Sequence, residues 1–298
     1  MNNEDHCRKT GYLQAASARH IIYTRIVFCI RKGETQMALV HVDFYSMSLA
    51  GQTELYAVLP NDVPPSMAEM NEHYRRPAKV LVLLHGYSGN AADWVTGSRI
   101  RELAQEYNLA VLMPNGRNSF YIDKEATGEK YAAYVGKELL KYAFRAFGLD
   151  TSPENCIIGG LSMGGFGAIH TGLLFDSYSK VIGLSSALIL YGLSAINFET
   201  HSIANRAYYE GIFGDLQAAA GTEHDPETLV EKRLAEGRPL PDIFLACGSE
   251  DFLFAANSIF DKFLTDKGVA HEFKVSPGIH NWKFWNEWLE PAIIWALS

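Results

Sequence analysis

Gly160-Leu161-Ser162-Met163-Gly164-Gly165-Phe166-Gly167-Ala168 is the stretch that decides the fold of this 298-residue chain. Before it runs Cys156-Ile157-Ile158-Gly159, an apolar segment short enough for a strand buried on both faces; after it, Met163–Leu174 reads as a helix rich in small residues. A serine set in Gly-x-Ser-x-Gly at a strand-to-helix junction needs a turn so sharp that the flanking side chains must be hydrogens. That turn lifts the hydroxyl into the crevice at the strand's carboxyl end, above the N-terminus of the next helix.

The flanking sequence supplies the sheet such a turn requires. Ala38–Ser48 and Thr53–Leu59 read as two strands turning at Gly51, and Pro60–Pro77 as a polar connection. Val80–Leu84, Leu109–Met113, Val181–Ser185, Ile243–Cys247 and Glu272–Val275 are further strand candidates. Helical patterns fall between them at Ser98–Tyr107, Tyr131–Phe147 (ended by Gly148), Phe254–Lys267 and Trp282–Leu297. Alternation of this kind predicts an α/β protein with a mostly parallel central sheet and helices on both faces, the α/β-hydrolase fold. Residues 187–240 exceed an ordinary crossover and are expected to form a cap insertion over the site, a long surface insertion being the alternative.

A serine hydroxyl is a weak nucleophile until a base takes its proton, and the base needs an orienting acid. In this fold the chain order is serine, acid, histidine. His201 and His224 lie in the expected cap and His271 begins the last strand. His280 sits just past that strand, in Pro277-Gly278-Ile279-His280, and is the expected base. Glu250 and Asp251 both follow the strand Ile243–Cys247; Asp251 is the preferred acid and Glu250 the alternative. The oxyanion of an acyl-transfer intermediate needs backbone N–H donors. Met163, next to the serine, and Tyr87, in His85-Gly86-Tyr87-Ser88-Gly89-Asn90, are the expected pair, with His85 in a structural role. Trp94, Trp282 and Trp285 are candidates for an apolar substrate pocket, core packing being the alternative for each.

No H-E-x-x-H, C-x-x-C, P-loop or G-x-G-x-x-G pattern is present, so neither a metal nor a nucleotide cofactor is expected. A net charge of −8 argues against nucleic-acid binding, and no apolar run approaches the ~18–20 residues of a membrane span. Cys156 and Cys247 fall in buried-strand patterns and Cys7 and Cys29 near the N-terminus, favouring a reduced, cytoplasmic setting over a disulfide framework.

Charge divides the chain. Residues 1–36 hold six basic and three acidic side chains, net +3, whereas 37–298 hold 20 and 31, net −11. The first segment has no clear period, and regular strand pattern starts at Met37. Arg31-Lys32-Gly33-Glu34 can be encoded by a purine run such as AGG-AAA-GGA-GAA, a bacterial ribosome-binding sequence, and Thr35-Gln36 give a spacer of about six nucleotides before the Met37 codon. The expectation is that 1–36 is upstream sequence read as protein, or a disordered tail, with a basic targeting segment as the rival reading; residues 37–298 form the hydrolase domain.

At these residues the chain resembles bacterial tributyrin esterases, within the esterase D group that includes S-formylglutathione hydrolases, some feruloyl esterases and mycolyltransferases. The resemblance covers most of 37–298. It rests on His85–Asn90, Gly160–Ala168, Cys247-Gly248-Ser249-Glu250-Asp251-Phe252-Leu253 and His280-Asn281-Trp282-Lys283-Phe284-Trp285. It implies Ser162, Asp251 and His280 as catalytic triad and short-chain acyl esters as substrates. Where S-formylglutathione hydrolases usually carry Thr-Cys, this chain has Ser88-Gly89, which counts against that thioester. A feruloyl-type aryl esterase or a thioesterase on the same machinery is the alternative enzyme, and a non-catalytic ligand-binding homologue the alternative of another class. The expected partner is a small-molecule ester, with self-association left open.

Overall fold

The computed structural model describes residues 38–124, 126–200 and 203–298. The expectations for 1–36 and for a start at Met37 lie outside the described residues, as does His201. Eight strands form one sheet: β1 Ala38–Ser46, β2 Gly51–Leu59, β3 Lys79–Leu84, β4 Leu109–Pro114, β5 Cys156–Leu161, β6 Lys180–Leu184, β7 Asp242–Gly248 and β8 His271–Ser276. Their spatial order is β1-β2-β4-β3-β5-β6-β7-β8. β1 pairs antiparallel with β2, and β2 with β4, while every pairing from β4 to β8 is parallel. The sheet is therefore mostly parallel, as the strand–helix alternation predicts, with an antiparallel ribbon at one edge.

The helices are α1 Pro65–Met70, α2 Asp93–Gly97, α3 Ile100–Glu106, α4 Tyr131–Ala133, α5 Leu139–Phe147, α6 Met163–Leu174, α7 Leu190–Leu193, α8 Arg206–Phe213, α9 Pro226–Ala235, α10 Phe254–Asp266 and α11 Trp282–Leu297. Alternation along β3 sets the two cores. Val80, Val82 and Leu84 join the apolar layer containing residues of α5, α6 and α10; Leu81 and Leu83 join the layer containing residues of α3 and α11. Both faces are covered, which is why β3–β5 read as unbroken apolar runs.

Some local expectations change. The β1–β2 turn lies at 47–50, with Ala50 at φ 50°, and Gly51 is the first residue of β2. Glu138 ties that turn: its carboxylate accepts Met47 N–H at 2.8 Å, Ser48 N–H at 2.9 Å and the Ser46 hydroxyl at 2.7 Å. The helix expected over Tyr131–Phe147 is continuous but passes through a π turn at Tyr134–Glu138, then ends at Gly148, whose φ of 67° is that of a left-handed cap. The connection Pro60–Pro77 holds α1 and a short 3₁₀ turn. Among the described residues, no helix is long and apolar enough to cross a membrane.

Residues 187–240 leave β6 and return to its neighbour β7, carrying α7, α8 and α9 between them. Phe213 of α8 packs edge-on against Phe120 and Phe166, at 5.1 and 5.9 Å between ring centres. Arg233 of α9 is buried, and its guanidinium donates to the carbonyls of Leu173 and Phe175 at the end of α6. The segment is thus docked on α6 by aromatic rings at one end and a buried cation at the other.

Candidate active site

Ser162 stands between β5 and α6 with φ 54° and ψ −120°, a region non-glycine residues rarely occupy. Three backbone bonds hold it there. Its N–H donates to Leu184 C=O on β6 at 2.9 Å, and its own carbonyl accepts Phe166 N–H at 3.1 Å and Ala187 N–H at 2.9 Å. The glycines are dictated by space: a Cβ on Gly160 would strike the Gly164 backbone, and one on Gly164 the Leu84 carbonyl. A sequence with side chains at either position could not close this turn.

Two further loops deliver partners at the same end of the sheet. His280 follows β8, and its Nε2 lies 3.0 Å from Ser162 Oγ. Asp251 follows β7, with Oδ2 2.8 Å and Oδ1 3.1 Å from His280 Nδ1. An ionised carboxylate only accepts, so Nδ1 carries the proton and Nε2 presents its lone pair to the serine hydroxyl. Burial opposes the Asp251 charge, but the His280 hydrogen bond, with Leu253 N–H and Ser185, outweighs it and holds the carboxyl below its ordinary range. Glu250, the alternative acid, turns away and accepts Gly278 N–H, joining the two loops.

The imidazole is held between rings. Trp285 meets it edge-on, with centres 5.0 Å apart and planes at 90°, and Phe252 lies 4.6 Å away on a tilt. Trp285 is itself fixed by its indole N–H donating to Ser185 Oγ at 3.1 Å. The tryptophans expected as pocket residues divide accordingly. Trp94 is 1% exposed, donates to Leu84 C=O and packs edge-on against Trp282, so it offers no face to a substrate and is a core residue. Trp282 packs against the same core layer, between Trp94 and Trp285.

On the facing loop, His85 is buried, with Nδ1 2.8 Å from Gly86 C=O and Nε2 accepting Gly116 N–H at 2.9 Å. Burial lowers its pKa, which suits a neutral ring bridging two loops. Among the described residues, the backbone N–H groups of Tyr87 and Met163 have no acceptor within the protein. Of the other histidines after the serine, His170 on α6 is stacked on Phe166 and bonded to Glu223 C=O, and burial lowers it to about 4; His271 pairs with Asp261; His224 lies near Phe213.

A cavity of about 260 Å3 lies beside the triad, walled by Phe166, Leu188, Tyr191, Phe252, Leu253 and Ile259 among others. Phe252 touches both the cavity and His280; neither Ser162 nor His280 lines it. Sequence reading did not single out Phe252, although its place directly after Asp251 was the available signal. Elsewhere, on the β1–β2 ribbon, His41, Asp43 and Glu54 bring donor atoms within 4.8 Å of one another, a geometry that could hold a cation and that takes no part in this site.

Comparison with known proteins bears on the family and the fold. An acetyl esterase of Caldicellulosiruptor saccharolyticus is 38% identical over 261 residues, covering 87% of this chain and 98% of that one. The solved structure of FphF, a fluorophosphonate-binding serine hydrolase of Staphylococcus aureus, matches with a TM-score of 0.76 at 30% identity, over 88% of this chain and 99% of that chain. The S-formylglutathione hydrolase FrmB of the same organism matches with a TM-score of 0.74 at 30% identity and the same coverage. The sequence profile of the family described as "Putative esterase" matches residues 46–296. With the strand order, the strained serine turn and relatives that span nearly all of its described length, this chain is a serine hydrolase of the α/β-hydrolase fold and belongs to that esterase family.

Proposed function

We propose that the protein hydrolyses short-chain acyl esters through an acyl-enzyme on Ser162. The observation that carries the proposal is the unbroken chain from Ser162 Oγ to His280 Nε2 at 3.0 Å and from His280 Nδ1 to Asp251 at 2.8 Å. Ser162 Oγ attacks the ester carbonyl carbon as its proton passes to His280 Nε2, and the carbonyl π pair moves onto oxygen. The N–H groups of Tyr87 and Met163 receive that oxyanion. The intermediate collapses with cleavage of the bond to the alcohol oxygen, which leaves with the proton from His280. Water then attacks the acyl carbon, gives a proton to His280, and the acid departs as Ser162 recovers its proton. Asp251 keeps the ring in one tautomer and offsets the imidazolium charge.

The acetyl esterase relative supports a short acyl group. Residues 187–240 act as a cap in this reading, walling that cavity through Leu188–Gly192. The Ser88-Gly89 pair, in place of Thr-Cys, favours an oxygen ester over S-formylglutathione. The test is kcat/KM over p-nitrophenyl acetate, butyrate and octanoate, methyl ferulate and S-formylglutathione, with Ser162→Ala as control. An optimum at acetate or butyrate that disappears in Ser162→Ala is expected. An optimum at ferulate or the thioester would replace the substrate class, and no turnover of any would place the substrate outside these classes.

A further inference from the structure

We propose that Tyr208, on α8 of the 187–240 segment, is a positioning residue for the oxyanion loop, acting through Asn118. The inference rests on the proposed role of the Tyr87 N–H.

Gly86–Gly89 form a tight turn closed by Gly89 N–H donating to Gly86 C=O at 3.1 Å. Its third residue, Ser88, has φ 60°, the sign a type II turn requires there and one that glycine or asparagine ordinarily supplies. A serine stays in that conformation only when its surroundings hold it. The holding group is Asn118, whose Oδ1 accepts Ser88 N–H at 2.7 Å. If the Tyr87–Ser88 peptide rotated away from Asn118, Ser88 would relax out of positive φ and carry Tyr87 with it.

Asn118 is in turn held by Tyr208, whose hydroxyl donates to the Asn118 carbonyl at 2.7 Å. The Tyr208 ring meets the Tyr87 ring edge-on at 5.5 Å and 77°, so the same residue touches the oxyanion loop directly. Burial, with the Tyr87 and Tyr209 hydroxyls nearby, raises the Tyr208 pKa, keeping the hydroxyl a donor across the working range. The other end of the loop has its own supports: His85 Nδ1–H and the Tyr121 hydroxyl, which donates to His85 C=O at 3.2 Å. Tyr208 and Asn118 are thus the part of the cradle that depends on the inserted segment.

Tyr208→Phe removes the hydroxyl and keeps the ring. With p-nitrophenyl acetate, kcat should fall about tenfold at unchanged KM, a fraction of the 10²–10³ lost when an oxyanion donor is removed outright. Trifluoroacetone, which forms a hemiketal oxyanion on the serine, should lose affinity by a similar factor. Asn118→Ala should lose as much or more, and the double variant should be no worse than Asn118→Ala alone, because both act through one contact. Active-site titration with a p-nitrophenyl phosphonate should still count one nucleophile per chain; a count of zero in the unaltered protein would instead defeat the reading of Ser162. Unchanged kcat and trifluoroacetone affinity in Tyr208→Phe would overturn the proposal. So would additive losses in the double variant, or a uniform loss that tracks a fall in Tm.

Discussion

The β5–α6 unit and residues 187–240 meet at Ser162 and are built in opposite ways. In α6 every residue from Met163 to Leu173 is buried, so the helix has no solvent face, and a methyl on its glycines would strike the Leu84 carbonyl at Gly164, Ser186 at Gly165, the Tyr121 ring at Gly167 and Val181 at Gly172. In α8 only Tyr209, Ile212 and Phe213 are buried, and Gly211 has open space around it. The first unit tolerates almost no change in volume; the second is fixed by a few anchors on one face. Chemistry that needs sub-ångström placement belongs to the first kind of structure, and recognition that must adapt to a substrate belongs to the second.

The sharpest break of that contrast is at the reacting groups. Ser162→Ala or His280→Ala should lower kcat by at least about 10⁴-fold, with the double variant no worse than either. Asp251→Asn should cost about 10⁴-fold and Glu250→Gln only a few-fold. A larger loss in Glu250→Gln, measured in the same initial-rate assay, would reassign the acid.

Glycine substitutions probe the two packing regimes. Gly164→Ala forces a methyl against the Leu84 and His85 carbonyls and should destabilise by about 3 kcal/mol, or prevent folding. Gly211→Ala, in open space within α8, should stabilise by about 0.5–1 kcal/mol. Urea denaturation reads both, and equal effects at the two sites would dissolve the distinction.

A smaller effect concerns selectivity. Leu188→Phe narrows the cavity and should reduce kcat/KM for p-nitrophenyl octanoate about tenfold, leaving acetate within about twofold, since a methylene's fit is worth roughly that much. Equal loss on both esters would mean the cavity does not receive the substrate.

The smallest expected signal is in pH. The Asp251 carboxyl lies below its ordinary range in the folded protein, so its contribution to stability is present above the unfolded value of about 3.9 and is lost as pH falls through the lower folded value. The Tm difference between the unaltered protein and Asp251→Asn should be constant above about pH 5 and shrink below about pH 4. A difference that grew on acidification would reverse the assigned direction.

The sheet and the serine turn are legible in the sequence because each rests on local constraint. Apolar runs buried on both faces announce β3 to β5, and the elbow glycines are required by contacts only four residues apart or one strand away. Trp94 reads as a pocket candidate because nothing local distinguishes an indole lining a cleft from one donating to Leu84 C=O in the core. The Gly51 turn misled because Ala50 takes the positive φ that glycine would ordinarily supply. Tyr208 and Asn118 stand 90 residues apart in the chain, and their contact depends on how the insertion lies back over the sheet. No periodicity carries that information.

The insertion's two ends have a consequence for how this scaffold can be altered. The segment leaves β6 after Leu184 and enters β7 at Asp242, the register partner of Lys180 at the other end of the parallel pair, so both of its ends are fixed by the sheet itself. Closing a loop between anchored ends costs only about 0.6 kcal/mol more for each doubling of its length. The stretch between β6 and β7 is therefore a socket: sequences of other lengths that keep its core anchors, such as Phe213, Val230 and Arg233, should seat there while the strands bearing Ser162 and Asp251 keep their register. A graft that also returns a hydroxyl to the Asn118 carbonyl should exchange the range of accepted esters without surrendering the turn at Ser88.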